Sequence, residues 1–125
     1  MRAAAPAIVL LVLLLGGCAR EQVVELHPDG EPALQVGVIV TPEGLRVRHG
    51  PCVAWYADGQ RRAEGRYWQG RRVGPWRFWF PDGRLEARGS FHLDRKTGYW
   101  TEWNPDGTVA AAGLYVAGER VGRWR

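Results

Sequence analysis

Hydrophobic and polar positions divide this chain into an apolar N-terminus and a longer patterned part. Residues Ala3 to Leu15 are all apolar, with Pro6 the one interruption. Beyond residue 17 no segment keeps a 3.6-residue hydrophobic period, and short runs of strand-forming residues alternate with turn-forming ones. We therefore expect an all-β fold with essentially no helix after residue 17.

The patterned part repeats every 24 residues. Gly50, Gly74, Gly98 and Gly122 each follow the previous one by this step. The columns that keep the same step are Trp55, Trp79 and Trp103; Cys52, Trp76, Trp100 and Trp124; Gly65, Gly89 and Gly113; Tyr67, Phe91 and Tyr115; and Arg72, Lys96 and Arg120. A fixed period of this kind indicates stacked units. Because a single hairpin is barely stable, the repeats are expected to form one elongated antiparallel sheet of hairpins.

Recurrent Asp-Gly pairs place a turn in each repeat. Phe80-Pro81-Asp82-Gly83 is typical of a type I turn followed by a glycine bulge, which pairs Trp79 with Leu85. On that register the packed face carries the column of Trp55, Trp79 and Trp103, and a more polar face carries the column of Trp76, Trp100 and Trp124. A two-residue loop would instead shift the pairing by one and exchange the two faces.

An older, irregular copy precedes the regular repeats. His27-Pro28-Asp29-Gly30 matches the later turns, but the step from Gly30 to Gly59 is 29 residues. Five extra residues are therefore expected near 38–47, as a longer loop around residues 41–44. The predicted boundaries are a repeat domain at 24–125, with a degenerate unit at 24–49, repeats at 50–73, 74–97 and 98–121, and a closing strand at 122–125.

These motifs resemble a known repeat family. Gly74-Pro75-Trp76, Gly89-Ser90-Phe91 and Arg95-Lys96-Thr97-Gly98 are similar to the variant MORN repeat of bacterial proteins, which are often labelled YwqK-family antitoxin proteins. The resemblance covers about residues 24–125 and departs from the pattern at Cys52, where tryptophan is expected. It implies an elongated antiparallel sheet that acts in protein binding, self-association or association with lipid.

The apolar N-terminus is predicted to be a signal peptide, residues 1–17, because its apolar stretch is too short to span a bilayer. Leu15-Gly16-Gly17-Cys18 resembles the lipobox of bacterial lipoproteins. Cys18 is therefore the expected site of lipidation, and residues 18–23 the expected tether. Ala19 after the cysteine favours the outer membrane by resemblance to Gram-negative sorting signals. The sequence thus predicts a lipid-anchored protein of the cell envelope.

Charge and cysteine content narrow the choice of partners. The net charge is +4, or +3 once Arg2 is removed with the signal peptide, and the charges are interspersed. This balance favours solubility over binding to a polyanion, so no nucleic-acid partner is expected. Cys18 and Cys52 are the two cysteines, and lipidation of the first leaves Cys52 without a disulfide partner.

The sequence contains no recognisable motif for catalysis or for metal binding, and the chain is not expected to be an enzyme. The single serine, Ser90, has no histidine in a local motif with it. The three histidines lack metal-ligand spacing, and the recurrent aspartates are explained by the turns that contain them. No cofactor or metal is expected.

The residues therefore favour a binding function, with a protein partner or a second copy of the chain. The predicted contact residues are Arg66, Trp68, Arg71, Trp76, Phe78, Phe80, Arg84, Arg88, Trp100 and Trp124, because aromatic and arginine side chains dominate interface energetics. Two alternatives stay open. One is recognition of a cell-wall glycan or lipid headgroup by the tryptophan-rich face, and the other is an immunity or antitoxin-like protein of the envelope.

Overall fold

The protein is one open antiparallel sheet. The computed structural model describes residues 7–15 and 18–125, and in this part of the chain there are ten strands and no helix. Each strand pairs with its sequence neighbours, so the order across the sheet is the order along the chain. The strands are β1 (Ala7–Leu15), β2 (Cys18–Leu26), β3 (Pro32–Val40), β4 (Arg46–Trp55), β5 (Arg61–Trp68), β6 (Arg71–Trp79), β7 (Leu85–His92), β8 (Arg95–Trp103), β9 (Val109–Val116) and β10 (Glu119–Val121). The predicted all-β sheet of successive hairpins is confirmed.

Two kinds of turn alternate along the regular repeats. At one end of the strands, the Phe80 amide donates to the Arg84 carbonyl at 2.8 Å and the Gly83 amide donates to the Phe80 carbonyl at 3.0 Å. Gly83 has φ 90° and Trp79 pairs with Leu85, so the predicted turn and its pairing are confirmed. At the other end two residues suffice: Leu93 and Asp94 have φ 47° and 71°, as a type I′ hairpin requires.

The first hairpin unit is longer, as its spacing predicts. Residues 41–45 form a five-residue turn where later units have two turn residues, and the Thr41 amide donates to the Leu45 carbonyl at 2.8 Å. Strands β3 and β4 have 9 and 10 residues, against 8 and 9 for β5 and β6. The five extra residues are therefore three in the turn and one in each strand.

The N-terminal strand lies at the edge of the sheet. The apolar segment β1 pairs with β2 alone. Residues 1–6 and 16–17 of the predicted signal peptide lie outside the described residues, and residues 18–23, predicted as a tether, belong to β2. No helix in the described part of the chain is long and apolar enough to cross a membrane.

The core lies along one side of the sheet, which we call the aromatic face and define by Cys52, Trp76, Phe91, Trp100 and Tyr115. All five side chains are buried. Neighbouring rings meet edge to face, with centroids 6.0 Å apart for Trp76 and Phe91 and 5.0 Å apart for Phe91 and Trp100. Such contacts stabilise beyond the area they bury. The cluster is completed by Leu34, Val36 and Ala54.

The prediction of which tryptophans form the core is wrong. Trp76 and Trp100, expected on the polar face, are 3% and 1% exposed. The column of Trp79, expected in the core, is half-buried on the opposite side. The cause is a β-bulge: Phe78 pairs with Ala87 but Trp79 pairs with Leu85, which leaves one extra residue on β7. The side chains of β7 beyond the bulge therefore point to the opposite faces from those expected by counting alternate residues from the turn.

The predicted closing strand at 122–125 lies just beyond the last regular strand. The last strand, β10, ends at Val121, and Gly122 takes a positive φ of 70°. The chain then turns so that Trp124 lies over Gly113 and the Arg125 amide donates to the Ala112 carbonyl at 3.0 Å. The last residues thus bond to β9 through Arg125 and cover the aromatic face with Trp124.

Candidate functional site

Each buried tryptophan lies flat on a glycine of the preceding strand. A Cβ at Gly65 would fall 2.1 Å from the Trp76 ring, and a Cβ at Gly89 would fall 2.1 Å from the Trp100 ring. The Trp76 indole nitrogen donates to the Arg66 carbonyl at 3.2 Å, and that of Trp100 donates to the Ser90 carbonyl at 3.0 Å. Both rings are therefore fixed in place, with their hydrogen-bond donors satisfied inside the protein.

Cys52 stands at the tryptophan position of the first unit, and its neighbours compensate for its small size. It pairs with Val36, which is 1% exposed, in the position that Gly65 has in the next hairpin. The larger residue of the pair is thus on β3 here, whereas in the next hairpin it is on the second strand. Burial raises the pKa of the Cys52 thiol to about 11, which Arg48 opposes and Glu25 reinforces. The thiol is a packing group rather than a nucleophile.

A line of cations covers the aromatic face. Arg72 lies over the Phe91 ring at 4.1 Å, Lys96 over Trp100 at 4.6 Å and Arg120 over Trp124 at 4.2 Å. These three share one repeat position, and the cation–π attraction is strengthened where the group is partly desolvated. The buried tryptophans are accordingly closed to solvent both by their own packing and by these side chains.

Acidic groups hold two of these cations. Asp94 accepts from the Arg72 amide at 2.8 Å and from its Nε at 2.9 Å, and Glu102 lies 3.4 Å from Lys96. Burial of Asp94 opposes ionisation, but the two hydrogen bonds and the charge of Arg72 outweigh it and hold the pKa of that carboxyl below its ordinary value.

An open groove of about 420 Å³ lies on this face above β7 and β8. Its lining includes Arg72 and Lys96, the carboxylates Glu86 and Glu102, and Phe78. Arg72 is paired with Asp94 and Lys96 with Glu102, and no serine, threonine or cysteine lines the groove. Within residues 7–15 and 18–125, no three His, Cys, Asp or Glu side chains are grouped to hold a metal ion.

The opposite side of the sheet has a different character. We call it the arginine face and define it by Arg77, Arg88, Tyr99, Leu114 and Val121. Arg77 pairs with Arg88 across β6 and β7, and Leu114 pairs with both Tyr99 and Val121. Tyr99 is 58% exposed and Leu114 is 48% exposed. Arginines and an apolar patch therefore share one solvent-facing surface.

The structure separates the predicted contact residues into three groups. Arg66, Trp68, Arg71, Arg84 and Arg88 are exposed; Phe78, Phe80 and Trp124 are half-buried; Trp76 and Trp100 are buried.

Local contacts explain two of the exposed positions. Trp68 packs against His49, with ring centroids 4.7 Å apart and the ring planes tilted by 50°. Arg84 donates to the Pro105 carbonyl at 3.3 Å and so joins two neighbouring turns. Cys18, the predicted lipidation site, is the first residue of β2. The predicted set is thus not one surface, and its exposed members are chiefly arginines.

Sequence reasoning did not select Arg77, Tyr99, Leu114 or Val121. For Tyr99 and Leu114 a signal exists: they occupy the repeat positions of Pro75 and Ser90, so the repeat changes there from small or polar to large and apolar. Arg77 could be placed beside Arg88 only by knowing the bulge.

Comparison of the sequence with protein-family models finds no match, and comparison with curated proteins finds none either. The resemblance to the variant MORN repeat is therefore based on the motifs of this chain alone.

Proposed function

We propose that the protein is a non-catalytic MORN-like binding module that presents its arginine face to another protein or to a second copy of itself. The observation that carries this proposal is the exposure of Tyr99 and Leu114 beside arginines on one side of the sheet. Interfaces are enriched in tyrosine and arginine, and an exposed apolar patch bordered by polar groups is typical of a binding surface.

The packing of the other side supports the choice of face. Trp76 and Trp100 are buried, and their indole nitrogens donate to backbone carbonyls. A glycan stacks on an exposed ring, so these tryptophans offer no platform without a rearrangement of the core. The groove beside Phe78 is the part of the aromatic face that is open. Protein binding through the arginine face is therefore preferred over glycan recognition.

Membrane attachment through lipid on Cys18 is part of the same proposal. The lipobox-like residues before Cys18 support it, and so does the place of β1 at the edge of the sheet. Removal of residues 1–17 would take away this edge strand and leave the contiguous pairing of β2 to β10 unchanged. Residue Ala19 favours the outer membrane and so supports a location in the cell envelope.

A photo-crosslinking amino acid at Leu114 in living cells tests this function. We expect links to one reproducible protein partner or to a second copy of the chain. The control carries the same amino acid at Glu43, an exposed position in the 41–45 turn away from the arginine face. Equal labelling from both positions, or links to lipid and cell wall alone, would contradict the proposal. A toxin among the linked partners would identify the immunity role that the family resemblance implies.

A further inference from the structure

Two arginines face each other at the centre of the arginine face. Arg77 on β6 and Arg88 on β7 are directly paired, and both are exposed. Directly opposed residues on one face of an antiparallel pair have Cβ atoms about 5 Å apart, and like charges in such positions destabilise the sheet. The arrangement therefore carries an electrostatic cost within the protein itself.

The neighbouring carboxylate is engaged by a third arginine. Glu64 pairs with Arg77 across β5 and β6, but its side chain bonds to Arg61 at 2.7 Å. Among the described side chains, no ion pair joins the guanidinium of Arg77 or Arg88 to a carboxylate. Arg88 lies instead over the Trp103 ring at 5.7 Å. Two exposed arginines thus stand at paired positions on neighbouring strands, and neither is in an ion pair among the described side chains.

We propose that Arg77 and Arg88 together bind carboxylates of an acidic segment in a protein partner. A guanidinium presents parallel N–H donors that match a carboxylate, and two such groups can hold one anionic side chain between them. A bound carboxylate would also remove the repulsion between the arginines. This inference depends on the proposed function, because it names the chemistry of the partner that the arginine face recognises.

The surroundings of the pair favour a protein over a membrane surface. Tyr99 and Leu114 lie on the same face within two strands of Arg88, and both are about half exposed. Attraction to an anionic bilayer needs only accumulated positive charge. An apolar and aromatic patch beside two arginines instead provides the desolvated anchor and the charged border of a protein interface.

A titration of the purified full chain, with Cys18→Ser to prevent lipidation, tests the inference. The probe is an oligoglutamate peptide, followed by NMR of the arginine Nε–Hε signals at low ionic strength. We expect the Arg77 and Arg88 signals to shift together and to saturate. Arg77→Gln and Arg88→Gln should each weaken binding about tenfold, since each removes a charge-assisted interaction. Both variants relieve repulsion and should stay folded.

The matched control is Arg95→Gln, which removes the same charge from an exposed arginine at the start of β8. It should bind oligoglutamate like the parent chain. If all three variants bound oligoglutamate equally weakly, the effect would be due to net charge alone, and the inference would be overturned. Stronger binding to phosphatidylglycerol-containing vesicles than to the peptide, with the same dependence on Arg77 and Arg88, would also overturn it.

The two proposals can fail separately. Cross-linking from Leu114 to a protein partner, combined with no oligoglutamate binding at Arg77 and Arg88, would leave the binding function standing and reject this partner chemistry. Selective oligoglutamate binding without any protein cross-link would support the carboxylate site and contradict the cellular role.

Discussion

At the scale of single residues, the fold depends on glycines that make room for tryptophan rings. Gly65, Gly89 and Gly113 each lie under one ring, and a Cβ at any of them would overlap it. These glycines are therefore required by close approach and not by an unusual backbone conformation. The sequence shows the glycine and tryptophan columns, but which glycine meets which ring follows only from the three-dimensional register.

Gly89→Ala should destabilise the protein by about 1–3 kcal/mol, because the added methyl group must displace the Trp100 ring from a well-packed core. Thermal unfolding followed by near-ultraviolet circular dichroism measures this. Ser90→Ala, at the next residue, is the matched control and should change stability little, since its carbonyl still accepts from Trp100. An alanine at residue 89 without effect would show that the ring does not rest on this strand.

The Cys52 thiol should be unreactive in the folded protein. Burial raises its pKa from 9.0 to about 11, so the thiolate is scarce and shielded at pH 8. Because the folded pKa is raised, this thiol contributes stability below pH 9 that is lost as the pH rises through about 11. A chain with Cys18→Ser should react with a thiol reagent slowly in buffer and rapidly in guanidinium. Equal rates in the two conditions would place Cys52 at the surface.

At the scale of elements, strands and turns were predictable and the packed face was not. The turn at residues 80–84 and the pairing of Trp79 with Leu85 follow from local chemistry, since proline and glycine fix the backbone there. The bulge beyond it leaves no equally clear local signal. Because one extra residue reverses the alternation, the sequence assigned Trp76 and Trp100 to the wrong face.

The first hairpin shows how two strands adapt to each other. Val36 and Cys52 fill the space that Gly65 and Trp76 fill in the next unit. Cys52→Trp alone should therefore overpack the core and cost about 1–3 kcal/mol.

Combining Cys52→Trp with Val36→Gly should recover part of this loss, with a coupling free energy of about 0.5–3 kcal/mol in a double-mutant cycle by chemical denaturation. Val36→Gly alone is the control for the cavity it leaves. Strict additivity of the two changes would contradict the proposed equivalence between the first hairpin and the later ones.

At the scale of the whole molecule, the period of 24 residues was sufficient to predict an open sheet of hairpins, because stacked repeats contact mainly their neighbours. The candidate site was predicted less well. Arg66, Trp68 and Arg88 were named and are exposed. Arg77 could be placed beside Arg88 only from the observed register, whereas Tyr99 and Leu114 were missed although the repeat changes at their positions.

Removal of residues 1–17 should leave a folded sheet. Strand β1 pairs only with β2, so its loss takes away one edge interaction while β2 to β10 keep theirs. Hydrogen exchange should show altered protection in β2 and unchanged protection in β5 to β8. Loss of protection throughout the sheet would show that the N-terminal strand is required for the fold.

The most direct test of the account is hydroxyl-radical footprinting of the folded chain, read out residue by residue with mass spectrometry. The aromatic face forms the core, and the arginine face is the proposed contact surface. We therefore expect rapid oxidation of Trp68 and Tyr99, which are 52% and 58% exposed, and protection of Trp76 and Trp100. The unfolded chain in guanidinium is the control, in which these differences should disappear. Rapid oxidation of Trp76 and Trp100 with protection of Tyr99 would reverse the two faces and contradict the account.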